Sequence, residues 1–193
     1  MNPPKSRLRH CRSAKSTPWN YLSRHGGGRR VTDVTDADKI EAAIREATDK
    51  SAGELTKADL EKVTMLFIKR RDLTDVSSLT GLRKLEVLGL DGNQLADVSP
   101  LAELTQLKLL HLNNNKLTDV SSLAKLTQLK ELYLYNNNLT NVSVLARLTQ
   151  LEILHLGSNH NLTKAKIDKL QKALPRKWGG LVAKCKITHN AEQ

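Results

Sequence analysis

Apolar residues in the centre of this chain recur with a fixed spacing. Residues 73–94 read LTDVSSLTGLRKLEVLGLDGNQ, and the next 22 residues read LADVSPLAELTQLKLLHLNNNK. Two further copies, LTDVSSLAKLTQLKELYLYNNN over 117–138 and LTNVSVLARLTQLEILHLGSNH over 139–160, come after them without a gap. Each copy contains Leu-x-x-Leu-x-Leu-x-x-Asn, first as Leu85, Leu88, Leu90 and Asn93. The alternating Leu-x-Leu portion has the period of a strand and predicts a short one with its leucines facing one way. The other apolar positions, such as Leu95, Val98, Leu101 and Leu104, stand three apart. That spacing suits a 3₁₀ or extended return better than an α-helix.

Where the chain turns off the strand, its backbone groups lose their ladder partners and need others. An asparagine can both donate and accept there. Asn93, Asn115, Asn137, Asn159 and Asn190 are therefore read as a structural ladder. A degenerate copy precedes the four regular ones, with Val63, Leu66 and Ile68, and with Arg71 in place of the asparagine. Another succeeds them, with Val182, Cys185, Ile187 and Asn190. Six parallel strands are expected. No single copy can bury its own leucines, so stability must come from stacking neighbours.

A stack needs ends. Thr35-x-x-Asp38 has the form of a capping box, and Ala37, Ile40, Ile44 and Ala47 share a helical face behind it. A second box, Thr56-x-x-Asp59, predicts a short helix leading into Val63. At the other end, Thr163 is expected to cap a helix that presents Ile167, Leu170 and Leu174, with Pro175 stopping it. The expected organisation is a basic tail (1–30), a helical N-terminal cap (31–62), repeats (63–160) and a helix-plus-strand C-terminal cap (161–193).

Taken together, the copies resemble the 22-residue class of leucine-rich repeats found in bacterial internalins and in type-1 phosphatase regulatory subunits. The segment IEAAIREATDKSAGELTKADLEKVT is similar to the N-terminal cap of bacterial members, and KIDKLQKALP resembles a family ending. The resemblance implies an α/β solenoid with its parallel sheet on the concave face and a 3₁₀ or extended convex side. For function it implies protein binding, because a repeat scaffold hosts many partners. A regulatory subunit of an enzyme such as a phosphatase remains an alternative.

If the leucines face inward, the residues between them face out. The column between the last two leucines reads Phe67, Gly89, His111, Tyr133, His155 and Lys186. The column before it reads Met65, Val87, Leu109, Glu131, Ile153 and Lys184. Two more columns lie beyond the strand, one through Lys69, Asp91, Asn113, Tyr135 and Gly157, the other through Arg70, Gly92, Asn114, Asn136 and Ser158. Exposed apolar and aromatic residues favour recognition. The partner contacts are therefore expected among Phe67, Leu109, His111, Glu131, Tyr133, Tyr135, Ile153 and His155. Asn114 is expected to be an outward residue of little structural weight.

Charge and composition change this picture only at the ends. The net charge is +11, yet residues 31–160 carry fifteen basic and eighteen acidic residues. Residues 1–30 hold eight Lys or Arg and no acid, so adhesion to nucleic acid or an anionic membrane through the basic ends is a further alternative. No recognition motif accompanies that charge, and no specific nucleic-acid partner is expected. Cys11 and Cys185 form no disulfide framework and are read as free thiols. No secretory signal or membrane span is visible, so a cytoplasmic location and a monomeric state are expected. No catalytic constellation, cofactor or metal site emerges. His25-Gly26-Gly27-Gly28 lacks a matching nucleophile, and His111 and His155 stand two copies apart, beyond joint ligation.

Overall fold

The computed structural model describes residues 34–174. Two helices, α1 (Asp36–Ala47) and α2 (Lys57–Leu60), precede five three-residue strands. These are β1 (Met65–Phe67), β2 (Val87–Gly89), β3 (Leu109–His111), β4 (Glu131–Tyr133) and β5 (Ile153–His155). Helix α3 (Lys164–Ala173) comes last. The strands form one parallel sheet in the order β1-β2-β3-β4-β5, and Leu66, Leu88, Leu110, Leu132 and Leu154 stand side by side along it. The fold is thus the leucine-rich-repeat solenoid. The sixth strand expected around Val182, Cys185 and Ile187, the ladder residue Asn190, both cysteines, Pro175 and the basic tail lie outside the described residues.

Between strands the chain returns through 3₁₀ turns at Ser77–Leu79, Ser99–Glu103, Ser121–Lys125 and Ser143–Arg147. An Asx turn starts each of them. Asp75 accepts from the Ser77 amide at 2.9 Å and Asp97 from that of Ser99 at 2.8 Å. Asp119 and Asn141 do the same for Ser121 and Ser143. The serine hydroxyls and amides hold the Asp75 and Asp97 carboxyls below the usual carboxylate range. A three-residue apolar spacing matches the three residues per turn of this helix. It carries Val98, Leu101 and Leu104 to the interior, where all are buried.

Seven leucine or valine positions per regular copy are buried. In the second they are Leu95, Val98, Leu101, Leu104, Leu107, Leu110 and Leu112, with Ala102 buried beside them. The asparagines complete this interior. Oδ1 of Asn115 accepts from the Leu95 amide at 3.1 Å, and its Nδ2 donates to the carbonyls of Leu90 and Leu112, both at 3.1 Å. Asn137 treats Leu117, Leu112 and Leu134 in the same way, and Asn159 treats Leu139, Leu134 and Leu156. Asn93 accepts from the Leu73 amide of its own copy and reaches back into the degenerate copy, where the Arg71 amide donates to it and the Ile68 carbonyl accepts from it. Arg71 itself stands exposed, because a guanidinium cannot take the buried place of the amide.

Both N-terminal capping boxes close. The Thr35 amide donates to Asp38 at 2.9 Å and the Asp38 amide donates to the Thr35 hydroxyl at 3.2 Å; Thr56 and Asp59 repeat the arrangement. Helix α1 packs on β1 and the first 3₁₀ turn. Its buried face differs from the expected one. Ile40 and Ile44 are buried with Ala43 beside them, whereas Ala37 and Ala47 are exposed. The two outer alanines lie in the terminal turns, and the buried residues of the helix lie in its middle. Asp36 fastens this cap by accepting from the amides of Thr74 and Asp75 and from the Thr74 hydroxyl. At the other end, Thr163 holds the N-cap position of α3 without a capping bond from its side chain. The third helical residue there is Lys166, so no acid can return the bond, and its Nζ donates instead to the Thr140 carbonyl at 2.6 Å.

Candidate protein-binding face

The strand alternation that buries the middle leucine turns its two neighbours to the open side. Phe67, Met65 and Tyr135 are exposed there, while Leu109, His111, Glu131, Tyr133, Ile153 and His155 are half-buried. Gly89 and Gly157, which fall in the same outward columns, are buried and offer no side chain.

The 22-residue register places His111, Tyr133 and His155 directly beside one another. Their rings stack. His111 and Tyr133 have centroids 4.2 Å apart with planes 8° from parallel; Tyr133 and His155 have centroids 4.9 Å apart and planes 9° from parallel. The faces of Tyr133 are thereby covered, and the stack turns ring edges outward. The Tyr133 hydroxyl donates to Oε2 of Glu131 at 2.9 Å. Burial and the Glu131 carboxylate raise the tyrosine's pKa. Burial pushes the His111 imidazole below its ordinary value; Asp91 opposes this from 4.0 Å, and Lys69 reinforces it. With the Tyr133 ring standing between them, the two histidines cannot share an ion.

Two features of this face are not anticipated by the repeat pattern alone. First, polar side chains connect the copies on the open side as well. Asp91 pairs with Lys69 at 3.0 Å and accepts from the Asn113 amide and side chain, and Asn113 accepts from the Tyr135 amide. Polar side chains 22 residues apart in the columns beyond the strand are the signal that could have found them. Second, Arg70, Gly92, Asn114, Asn136 and Ser158 all have left-handed backbones, with φ between 53° and 71°. Asn114 is therefore a turn residue, and it also accepts a bond from Asn136 at 2.9 Å. The expectation that it carries little structural weight is corrected: an alanine there would be strained. The Gly and two Asn residues in one column are the readable trace of that requirement.

A groove of about 420 Å³ runs along the strand starts, lined by Lys108, Thr127, Gln128, Lys130, Thr149 and Gln150. Its lysines are paired with Glu86 at 2.8 Å and Glu152 at 3.8 Å, which leaves it little net charge with which to attract a ligand. Among the described residues, no group of His, Cys, Asp or Glu is arranged to hold a metal, and no helix is long and apolar enough to cross a membrane.

The family described as leucine rich repeats (2 copies) matches residues 83–125, 105–147 and 127–172. Among solved structures, an internalin from Listeria monocytogenes is 33% identical, with a TM-score of 0.65. That match covers 75% of this chain and 45% of the internalin, so the chain spans less than half of that relative's length. Internalin C2 of the same organism is 27% identical, with a TM-score of 0.54, over 70% of this chain and 78% of that one. A leucine-rich-repeat protein of Leptospira interrogans is 29% identical, with a TM-score of 0.57, over 64% of this chain and 33% of its own. No curated protein matches the chain. Register, asparagine ladder and these likenesses agree: the chain is a leucine-rich-repeat protein of the 22-residue class, similar to bacterial internalins.

Proposed function

We propose that this chain is a non-enzymatic module that binds a protein partner on the open, concave face of its sheet. Leucine-rich-repeat proteins are in general protein-interaction scaffolds. The observation that carries the reading is the His111–Tyr133–His155 stack. Rings held by their neighbours have little rotamer freedom left to lose, and a partner meets a surface that is already ordered. Leu109, Glu131, Tyr135 and Ile153 surround the stack, and Phe67 extends the face toward the N-terminal cap.

Tyr133 is the centre of this proposed face. Tyr133→Ala should weaken partner binding by about 2 kcal/mol. Lys125→Ala, in a 3₁₀ turn on the far side of the copy, should leave binding unchanged. A partner captured on the full chain and identified can be titrated against both variants by calorimetry. Wild-type binding by Tyr133→Ala, together with loss in Lys125→Ala, would move the working surface to the return side.

A further inference from the structure

The N-terminal end of the open face differs from its centre. Four large apolar or aromatic side chains are exposed among the described residues, and two of them, Met65 and Phe67, lie on β1. They alternate with buried Leu66, so both point to the open side. In the register with β2, Met65 stands beside Val87 and Phe67 beside Gly89. A Cβ on Gly89 would stand 2.4 Å from the Phe67 ring. The ring therefore lies directly on the glycine backbone. Gly92 does the same for Arg70, whose Cγ would be 2.9 Å from a Cβ there. Two glycines in one copy thus let two side chains of the preceding copy lie across it. The next two copies carry His111 and Tyr133, then Asn114 and Asn136, at those positions, and have no such glycine.

The charge beside the platform is net positive, with Lys69, Arg70 and Arg71 against Asp72 and Asp91. Lys69 lies over the Phe67 ring at 5.3 Å and is neutralised by Asp91. Arg70 and Arg71 are exposed, and among the described residues neither makes an ion pair. We propose that Met65, Phe67, Arg70 and Arg71 form a docking site for a short acidic peptide segment of the partner, with an apolar side chain on the β1 platform and its carboxylates on the two exposed guanidiniums. The inference rests on the open face being the binding surface.

Charge complementarity selects this occupant. Arginine presents a planar fork of donors that fits a carboxylate in bidentate fashion. The chain's own residues 1–30 have the same sign as the site, with eight Lys or Arg and no acid, and offer it no carboxylate. A nucleic acid would carry its phosphates on across the sheet to Asp91 and Glu131, and it would find the Tyr133 ring faces already taken by His111 and His155. A peptide with one or two carboxylates near an apolar residue stops short of Glu131, and Asp91, beside the platform, is already paired with Lys69.

The test uses the full chain and a displayed library of short random linear peptides. Recovered peptides should place Asp or Glu close to Phe, Leu or Trp. Their affinities are then measured by fluorescence polarisation against wild type, Arg70→Asn/Arg71→Gln and Tyr133→Ala. Asparagine tolerates the left-handed backbone at 70, so the double variant removes charge without new strain. It should weaken binding about tenfold or more, and more at low salt than at high salt. A selection that returns no binder, or basic or uncharged binders, overturns the proposal. So do acidic binders that the double variant holds as tightly as wild type. If those still lose affinity with Tyr133→Ala, the open-face reading stands and the acidic site falls. If neither variant changes binding, both fall. Displacement of the peptides by oligouridylate, at lower concentration than by free acidic peptide, overturns the site in favour of nucleic acid.

Discussion

The two sides of each strand obey the same period and use it differently. On the inner side every regular copy repeats itself: Leu88, Leu110, Leu132 and Leu154 are interchangeable, as are the four ladder asparagines. On the outer side the neighbouring column changes identity at almost every step, from Phe67 to Gly89, His111, Tyr133 and His155. A side chain packed against its own equivalent in the next copy is constrained by that equivalent. A side chain facing water answers only to its lateral neighbours. The difference separates what the stack requires from what it leaves available for specificity.

The largest effect that would sharpen this contrast is at adjacent residues of β3. Leu110→Ala should cost about 2–5 kcal/mol, since it leaves a cavity in a packed interior. Leu109→Ala, one residue away and half-buried, should cost under about 1.5 kcal/mol, because less area leaves water. Urea titration of the pair decides it, and equal midpoints would abolish the distinction between the sides. Next is Asn137→Ala, which strands the Leu117 amide and leaves the Leu112 carbonyl to Asn115 alone; it should cost about 1–3 kcal/mol by the same titration. Smaller still is Asn114→Ala, at about 1–2 kcal/mol for forcing alanine into a left-handed turn. Asn114→Gly should recover most of that loss, which would assign it to backbone rather than to contact.

The gentlest perturbation is pH. Burial works to raise the Asp36 pKa, but the Thr74 amide and hydroxyl, the Lys39 ammonium and the Asp75 amide outweigh it, and the carboxyl sits well below the usual range. A carboxyl depressed on folding contributes its full stability above the unfolded-state pKa of about 4 and loses it as pH falls toward the folded value. Thermal midpoints of wild type should therefore drop below about pH 4 more than those of Asp36→Asn, which has no such carboxylate to protonate. Parallel curves would show that the cap is held by Ile40 and Ile44 alone.

The inner side was legible because its information is redundant. Four copies of the same leucines and asparagine announce a strand, a return and a ladder, and the capping boxes at Thr35 and Thr56 are local signals. Less legible were the relations between copies. The shared column places Tyr133 between His111 and His155 on sequence alone, but stacking also depends on the angle the side chains take, and no residue pattern gives ring planes 8° and 9° from parallel. The left-handed column was obscured by Arg70 and Ser158, which no turn rule favours. The exposed Ala37 and Ala47 lie on the apolar face of α1, but in its terminal turns, beyond the buried Ile40 and Ile44. The open cap at Thr163 reflects Lys166, a lysine three residues on where the other two caps have an aspartate.

The ladder also bears on how such a chain can change over generations. Each asparagine reaches only into its own copy and the one before it; Asn115, for example, bonds Leu90 behind it, Leu95 at the start of its own copy, and Leu112 and Asn113 in its own turn. A duplicated 22-residue unit inserted anywhere among the regular copies would find the same partners on both sides. Duplication or loss of a whole unit leaves every buried amide bonded, whereas an insertion of any other length strands at least one. The number of copies is therefore free to drift in whole steps, and each added step brings one more position in every outward column on which selection can write a new residue.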